Sequence, residues 1–311
     1  MNDSKVIYSE SLVGQGLSLE RLQTFLRVAR IGSIKAAADA EPTRQSLFSR
    51  QISELEKALG CQLFSRDGRR MSLTIEGRRL SLLVASFFEG MDDLVAENRG
   101  SDRQIRVTGS ESAFDELVWP LLGPLKLAFP QVTFEFVSEA TSASLKALME
   151  GEAAIGIIRS TAVDEHHHSK PLGSVEFWLV ASRSVCGQAG QPEFALLRRN
   201  PIPLLVGRGD FNIGITGILR ETGCPVRPCA RGSTFGALAE MLVQRACECA
   251  VLPKRLAAKL PQEKFAAARI EELKPLDRQF SLVCDRKAGD IRPALRELVD
   301  SWAERFGRAI R

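Results

Sequence analysis

The fold of the N-terminal region is decided by a stretch that reads Gln45-Ser46-Leu47-Phe48-Ser49-Arg50-Gln51-Ile52-Ser53-Glu54-Leu55. Its apolar positions, followed to the end of the pattern, are Leu47, Phe48, Ile52, Leu55 and Leu59. Spacings of three and four predict a helix with one buried face and one polar face. Gly60 ends the pattern, and Pro42-Thr43 breaks the chain before it, so that Thr43 is the predicted N-cap of a helix starting near Arg44.

Two shorter helical patterns precede this helix, and a basic ribbon follows it. The first runs from Leu19 to Arg30 and ends at Gly32, after which Ser33 can cap a short alanine-rich helix. The segment from Leu63 to Thr74 holds two strand-like stretches around an Asp-Gly turn. Three helices with a tight break before the third, followed by a basic ribbon, predict a winged helix-turn-helix whose third helix enters the major groove of DNA.

The polar face of the third helix carries side chains suited to DNA. Near a helix start, Gln can bind adenine and Arg can bind guanine in a bidentate manner, while Ser and Arg one turn later suit phosphates. Arginines also crowd the ribbon, where phosphate charge lies close. An exposed polar face without function is the alternative interpretation. The candidate DNA-binding residues are Arg44, Gln45, Ser46, Ser49, Arg50, Arg66, Arg69 and Arg70.

Charge is unevenly distributed along the 311 residues. The segment from residue 18 to residue 80 holds 12 Lys and Arg against 7 Asp and Glu, whereas the whole chain carries +4. A small basic module on a nearly neutral body favours a polyanionic partner, most often nucleic acid. Hydrophobic residues at 44% and charged residues at 26% exclude global disorder, and no apolar run is long enough to predict a membrane span.

A long helical pattern runs from Ile75 to about Glu97. Its apolar residues form one stripe that is too long for so small a module to cover. We therefore favour pairing with the same helix of a second chain over packing against its own domain. The predicted dimerisation residues are Leu80, Leu83, Val84, Phe87 and Met91, and the stripe continues to Leu94 and Val95.

The pattern changes after a polar break at Gly100-Ser101-Asp102. Strand-like segments such as Ile105–Thr108 and Val132–Val137 then alternate with helical ones. This alternation predicts βαβ units and an open α/β sheet of sufficient length for two lobes. Two such lobes leave a cleft at the ends of their strands, where small ligands bind.

An ordered series of motifs runs through the first eighty residues. It comprises Leu22-x-x-Phe25, Gly32-Ser33-Ile34-x-Ala36-Ala37-Ala38, Gln45 to Ile52, Leu55-Glu56, Leu59-Gly60, Leu63-Phe64-x-Arg66 and Leu73-Thr74-x-x-Gly77. Together these motifs resemble the N-terminal domain of LysR-type transcriptional regulators, and weaker matches extend the resemblance to about residue 306. It implies a regulator that binds double-stranded operator DNA and a small polar or anionic effector. It also implies homodimers formed through the long helix, and a homotetramer.

The resemblance further implies the division of the chain. The winged helix-turn-helix is expected at 18–78, the linker helix at 79–100, and a periplasmic-binding-protein-like effector domain at 101–311. Lobe I is expected at about 101–180 and 278–311, and lobe II at about 181–277. The family's ligand cleft lies between the lobes. Carried over by matched position, the effector-binding residues are Ser110, Ser112, Thr141, Arg208, Ser233 and Thr234.

Some positions depart from the family pattern. Glu41 replaces an apolar residue, and the run from Val243 to Glu248 lacks the two usual glycines around Ala246. Glu111 would repel an anion if it pointed into the cleft, although Arg159 and Arg208 could offset it. A constitutive regulator with a vestigial cleft is therefore the alternative to a ligand-responsive one.

No catalytic, cofactor or metal site is predicted. The chain has neither a GxSxG motif nor a Walker loop, and its only histidines, His166 to His168, are interpreted as an exposed loop without zinc spacing. The seven irregularly spaced cysteines, without an export signal before them, indicate reduced thiols and a cytoplasmic protein. We therefore expect no enzymatic activity. A DNA-binding domain fused to a catalytic α/β domain is the alternative.

Overall fold

The computed structural model describes residues 16–67, 70–99, 102–187, 190–207 and 209–307. These residues form a small helical domain with a two-stranded wing, a long linker helix and an α/β domain with two lobes. The fold class predicted from the sequence is thereby confirmed.

Three helices build the N-terminal domain: α1 (Leu19–Ile31), α2 (Ile34–Ala37) and α3 (Pro42–Leu59). Gly32 ends α1 at φ 70°, in the left-handed region that disfavours a side chain. Ser33 then caps α2, because its hydroxyl accepts a hydrogen bond from a backbone N–H of the first turn. The predicted end of α1 and the predicted cap of α2 are both confirmed.

Helix α3 begins earlier than the sequence pattern predicts. Its N-cap is Glu41, which makes no side-chain capping hydrogen bond, and Pro42 occupies the first helical position. Proline suits that position because an N–H there would have no partner inside the helix. The prediction that Thr43 caps α3 is therefore wrong, since Thr43 lies inside the first turn.

The wing is a two-stranded antiparallel ribbon, β1 (Phe64–Asp67) and β2 (Arg70–Leu73), as predicted. It is attached to the helices by a small apolar core. The rings of Phe25 and Phe64 lie 5.5 Å apart, centroid to centroid, and Leu55 and Leu63 are buried beside them. The wing therefore keeps a fixed position relative to α3.

Helix α4 (Ile75–Arg99), the linker helix, has three different faces. Leu80 and Val84 pack into the core of the N-terminal domain. Leu82 packs into the core of the α/β domain. The third face is apolar and exposed, and it consists of Leu83, Phe87, Met91, Leu94 and Val95.

The stripe predicted for dimerisation is thus divided between two faces. Val84 is 5% exposed and Leu80 is half-buried, both against their own domain, so the prediction that these two residues face a second chain is wrong. The helix starts beside the wing, so its first turns are covered by the domain they follow. Leu83, Phe87 and Met91 remain available, at 44–48% exposure.

The α/β domain contains ten strands and nine helices among the described residues. The strands are β3 (Arg103–Gly109), β4 (Val132–Ser138), β5 (Ile155–Arg159), β6 (His167–Val175), β7 (Phe177–Ser182), β8 (Ile202–Leu205), β9 (Pro228–Gly232), β10 (Cys249–Pro253), β11 (Phe265–Ala268) and β12 (Arg278–Asp285). The helices are α5 (Glu111–Leu117), α6 (Leu122–Ala128), α7 (Thr141–Glu150), α8 (Leu196–Arg199), α9 (Asp210–Glu221), α10 (Phe235–Val243), α11 (Lys254–Lys259), α12 (Arg286–Ile291) and α13 (Pro293–Phe306).

Lobe I is built on a five-stranded sheet in the order β4-β3-β5-β12-β6. Strand β3 pairs parallel to β4 and β5, while β12 pairs antiparallel to β5 and β6. Helices α5 and α7 follow the carboxyl ends of β3 and β4. Both helices therefore begin at the same edge of the sheet, which is where open α/β sheets bind ligands.

Lobe II holds an antiparallel sheet, β10-β7-β11, and a parallel pair, β8-β9. The chain enters it after Glu176 and leaves it at Asp277. The Asp277 carboxylate accepts a hydrogen bond of 2.9 Å from the Phe177 N–H, which ties the two crossings together. The boundary expected at about residue 180 falls just before β7 in the sheet pairing, since β7 pairs with β10 and β11 in lobe II.

Candidate DNA-reading surface and effector cleft

One face of α3 is exposed over its first turns. All five candidate residues on this helix lie on that face: Arg44, Gln45, Ser46, Ser49 and Arg50. The opposite face buries Phe48, Ile52 and Leu55 in the domain core. The helix thus presents polar side chains to solvent from a rigid base, as the sequence pattern predicts.

A buried polar contact fixes α3 against α1. Thr24 and Gln51 are each 6% exposed, and the Thr24 hydroxyl donates a 2.7 Å hydrogen bond to the Gln51 side-chain carbonyl. The Gln51 amide in turn donates to the Glu20 carboxylate at 2.9 Å. Sequence reasoning overlooked this positioning role because Gln51 looks like any other polar residue of the helix.

Two candidate arginines are held by carboxylates in the free protein. Arg50 contacts Glu54 at 2.8 Å, and Arg44 contacts Asp39 at 2.8 Å. The hydrogen bond to Glu54 raises the pKa of Arg50, and the same bond lowers the pKa of Glu54. These exposed pairs are weak, so they orient both guanidinium groups without preventing them from exchanging to phosphate or base partners.

The wing arginines are described only in part. Arg66 and Arg70 lie on β1 and β2, and Arg66 is paired across the ribbon with Met71. Their side chains, and the whole of Arg69, lie outside the described residues. The backbone therefore places two of the predicted basic positions on the wing.

The hydroxyl residues predicted for the effector cleft lie at helix starts. Ser110 caps α5, and Thr234 caps α10 through a 3.0 Å hydrogen bond from the Ala237 N–H. Thr141 is the first residue of α7, a helix that has no side-chain cap. Ser112 is buried, with its oxygen 3.4 Å from that of Ser110. The structure thus places hydroxyls from both lobes at strand-to-helix turns.

Charged side chains join the two lobes at the same edge. Arg159, at the end of β5, forms an ion pair with Asp210, the first residue of α9 in lobe II. Arg278, where the chain re-enters lobe I, lies close to both. Burial lowers the pKa of Arg278 and the charge of Arg159 lowers it further, while Asp210 opposes the effect. One arginine therefore pairs with Asp210 at the junction of the lobes, and a second lies within the electrostatic influence of that pair.

An aromatic cluster lies beneath these charges. Phe177, Phe211 and Phe235 are buried, with ring centroids 4.9–5.5 Å apart. The Arg278 guanidinium carbon lies 5.7 Å from the centroid of the Phe177 ring, within range of a cation–π interaction. Arg278 is a candidate that sequence reasoning missed. The sequence signal for this residue was a lone arginine at the start of an apolar strand, where the chain returns from lobe II to lobe I.

Two family models match most of the chain. One is described as a bacterial regulatory helix-turn-helix protein of the lysR family and matches residues 19–78. The other is described as a LysR substrate binding domain and matches residues 98–307.

The chain belongs to the LysR family. It carries the helix-turn-helix domain of the family's bacterial regulatory proteins, followed by the family's substrate-binding domain.

Individual relatives agree with this assignment. A probable nitrogen assimilation transcriptional activator of Synechocystis is 32% identical over 148 residues, which is 46% of this chain and 48% of the relative. A probable hydrogen peroxide-inducible genes activator of Mycobacterium leprae is 33% identical over 135 residues, 42% of this chain and 43% of the relative. The chain spans about half the length of these curated relatives.

Solved structures resemble most of the chain. Full-length OxyR from Pseudomonas aeruginosa, in a variant form, has a TM-score of 0.67 at 19% identity, over 92% of this chain and 95% of that one. Full-length CbnR complexed with its target DNA has a TM-score of 0.59 at 21% identity, over 92% and 100%. At such identities the likeness shows the fold.

Among the departures of this chain from the LysR family pattern, Glu111 bears most on the cleft. It is half-buried at the first position of α5, next to Ser110. Burial raises the pKa of Glu111, and the charge of Asp115 raises it further. The carboxylate is therefore more easily protonated than an exposed one, which lessens its repulsion of an anion as the pH falls.

Arg208 and Ser233 complete the predicted effector residues of this LysR-family chain. Arg208 lies outside the described residues. Ser233 is exposed at the end of β9, immediately before the cap of α10. In lobe II, therefore, the described part of the predicted set is the pair Ser233-Thr234.

The interpretation of the histidine tract as an exposed loop holds only for His166, which lies in an exposed turn. Strand β6 begins at His167, which is 6% exposed and has its Nδ1 atom 2.7 Å from the Asp164 carboxylate. His168 Nε2 lies 2.6 Å from the Asp300 carboxylate on α13. The loop interpretation is wrong for His167 and His168, because pairing with β12 makes them part of an edge strand whose sequence shows no apolar alternation.

The remaining cysteine and histidine features give no cofactor site among the residues that the structure describes. No group of three His, Cys, Asp or Glu side chains there has a metal-binding arrangement. All seven cysteines carry free thiols, and burial raises the pKa of Cys249 and of Cys284 to about 12. Within the described ranges, no helix combines the length and apolarity needed to span a bilayer.

The Thr24–Gln51 contact predicts a difference between two glutamines of one helix. Gln51→Ala should lower the free energy of unfolding by about 1–3 kcal/mol, because it leaves the buried Thr24 hydroxyl without its acceptor. Gln45→Ala, on the exposed face, is the matched control and should change stability by less than about 0.5 kcal/mol. Urea unfolding of both variants checks this. Equal losses would contradict the assignment of Gln51 as the residue that fixes α3.

Proposed function

We propose that this LysR-family regulator reads DNA through the exposed face of α3 and responds to a small carboxylate bound between its lobes. One observation carries the second part: a carboxylate of the protein itself, Asp210, already contacts Arg159 across the lobe junction, and the charges of both residues act on Arg278. The exposed polar face of α3 supports the first part.

On DNA, α3 lies in the major groove with its N-terminal turns toward the base edges. Gln45 is the residue best suited to a bidentate contact with adenine, and Arg50 to guanine or phosphate. Arg66, Arg69 and Arg70 on the wing contact the backbone of the duplex. Arg44 exchanges its partner Asp39 for a phosphate, because its ion pair is exposed and weak.

Gln45→Ala should weaken binding to a duplex that the wild-type chain selects from a random library. We expect a loss of about 1–3 kcal/mol and a relaxed preference at one position per half-site, because one base loses its bidentate partner. Gel shifts with selected and scrambled duplexes measure both effects. Arg198→Ala in lobe II is the control and should bind as the wild type does. Undiminished binding by the Gln45 variant would remove this residue from the reading surface.

Asp210 acts as an internal competitor of the ligand. Its carboxylate pairs with Arg159 across the cleft and lies close to Arg278. A ligand carboxylate has the same charge and shape, and it can also reach the backbone N–H groups at the start of α7, which no side chain caps. Ser112 and Thr141 supply hydroxyls for its remaining polar groups. The ligand changes DNA binding by favouring one arrangement of the lobes over another.

Variants of this junction should alter carboxylate binding in opposite directions. Asp210→Asn should strengthen it by about two- to fivefold, since an exposed ion pair of modest strength no longer competes. Arg159→Met and Arg278→Met should each weaken it by about tenfold or more, because each removes a charge-assisted hydrogen bond. Thermal-shift titrations with a panel of mono- and dicarboxylates measure this.

Arg198→Met serves as the control, because it removes an exposed arginine of lobe II far from the junction. If neutral compounds or cations alone raise the melting temperature, the carboxylate class is wrong. If no compound of a broad metabolite panel does so and the DNA footprint never changes, the chain is a constitutive regulator with a vestigial cleft.

The exposed stripe of the linker helix supports a homodimer. Leu83, Phe87 and Met91 repeat at intervals of four on a face that no part of the described chain covers. Pairing this face with its copy removes apolar surface from water, and a second contact between effector domains completes a tetramer. We further propose that the protein acts where the chromosome is, in the cytoplasm, and that it catalyses no reaction.

Leu83→Glu together with Phe87→Glu should convert the dimer to a monomer or cause aggregation, because the change would place charge inside an apolar seam. Light scattering at increasing protein concentration measures the mass. Leu19→Glu, which alters an exposed leucine of α1, is the control and should keep the wild-type mass. A monomeric wild type would refute the assignment of this stripe to dimerisation.

A further inference from the structure

The linker helix is attached to the effector domain at two separate places. The first, called here the pivot, consists of Ser81, Leu82 and Ala85 against the end of α7. The Ser81 hydroxyl donates a 2.7 Å hydrogen bond to the Glu150 carbonyl. Gly151 follows at φ 71°, and a Cβ atom added there would lie only 2.7 Å from that of Ala85. The two elements are therefore in very close contact at the pivot.

The second attachment, called here the clamp, is ionic and lies further along the helix. Arg292, between α12 and α13, is 4% exposed. Its Nε and Nη2 atoms donate to the two carboxylate oxygens of Asp93 at 2.9 and 3.3 Å, and its Nη1 donates to Glu89. The stem of Arg292 lies over Gly90 of the same helix. One buried cation is thus paired with two carboxylates of another domain.

The space beside the clamp is open. A cavity of about 780 Å³ separates α1, the linker helix and the edge of lobe I, and Arg27, Arg30, Glu135 and Arg292 are among the residues that line it. A loosely filled interface permits a rotation about the pivot that a close-packed core would resist. The angle between the linker helix and the effector domain therefore depends on the specific contacts beside this space.

The clamp is also continuous with the effector cleft. Strand β12 begins at Arg278, in the cleft, and ends at Asp285, whose carboxylate caps α12. Helix α12 then leads directly to Arg292. Because β12 is an inner strand, hydrogen-bonded on both sides, it forms a stiff connection between the cleft arginine and the clamp arginine.

We propose that Arg292, Glu89 and Asp93 set the angle between the linker helix and the effector domain, which makes Arg292 a positioning residue for the DNA-binding domain. Charge and geometry both support this assignment. A buried guanidinium holds its carboxylate partners because separation would leave it unpaired. The bidentate contact with Asp93 fixes the orientation of the guanidinium group as well as its distance from the carboxylate. The proposal rests on the proposed function, because the angle matters only in a chain that presents α3 to DNA.

The test compares two arginines near the start of the same helix. Arg292→Met removes the clamp and keeps most of the side-chain volume. Arg296→Met removes an exposed pair with Asp290, 3.4 Å apart, and is the control. Small-angle X-ray scattering of the full chain should show a larger radius of gyration and maximum dimension for Arg292→Met only. Hydrogen exchange should become about tenfold faster at amides around Glu89 to Ala96, again only in that variant.

A merely structural role is separated from positioning by three further measurements. Arg292→Lys should restore part of the wild-type scattering curve, since one cation can still reach one carboxylate. The double variant Glu89→Gln, Asp93→Asn should reproduce the effect of Arg292→Met, and combining all three changes should add nothing. This double variant also decides the matter if Arg292→Met fails to fold, because both of its changes lie on the linker helix.

DNA binding distinguishes failure of this inference from failure of the proposed function. On a duplex selected by the wild-type chain, Arg292→Met should bind a single half-site within twofold of wild type but protect a different length of the full site. A folded Arg292→Met with wild-type scattering, exchange and footprint overturns the clamp. A wild-type chain that selects no duplex overturns the proposed function, while an altered scattering curve would still support the clamp.

Discussion

The linker helix contributes side chains to two hydrophobic cores, and the arrangement of the domains depends on this constraint. The linker helix buries Val84 under the winged domain and Leu82 in the α/β domain. Helical geometry places these two positions on different sides, because each residue turns the direction of the side chain by about 100°. A third side is left exposed, and its apolar side chains are what the proposed dimer would bury.

The junction between the lobes depends on a comparable balance, made with charges. Arg159 and Arg278 repel each other, and Asp210 from the opposite lobe lies close to both. Two cations near a single anion keep an affinity for a second anion, because part of the positive charge stays uncompensated. The ion pair that joins the lobes in the free protein is therefore also the contact with which a ligand carboxylate would compete. In the proposed function, closure and ligand recognition would use the same atoms.

Local sequence patterns predicted the helices of the winged domain because their information is local. Spacings of three and four, a left-handed glycine at Gly32 and a serine cap at Ser33 act within a few residues. The start of α3 was misplaced because Thr43 and Pro42 both favour a helix start, and the pattern cannot rank them. His167 was misplaced for a different reason: strand β6 is defined by its pairing with β12, more than a hundred residues away.

The sequence by itself determined the order of the domains, the polar and apolar faces of α3, and the existence of a long apolar stripe. These features follow from hydrophobic periodicity and charge, which can be read from short stretches of the sequence. Only the tertiary structure decided which residues of that stripe stay exposed. It also decided that β7 belongs to lobe II, and that Arg278 and Arg292 stand at the two ends of one stiff segment. Such facts depend on contacts between residues far apart in the chain, and the free energy of burying a charge or a methyl group is set by the neighbours that folding brings to it.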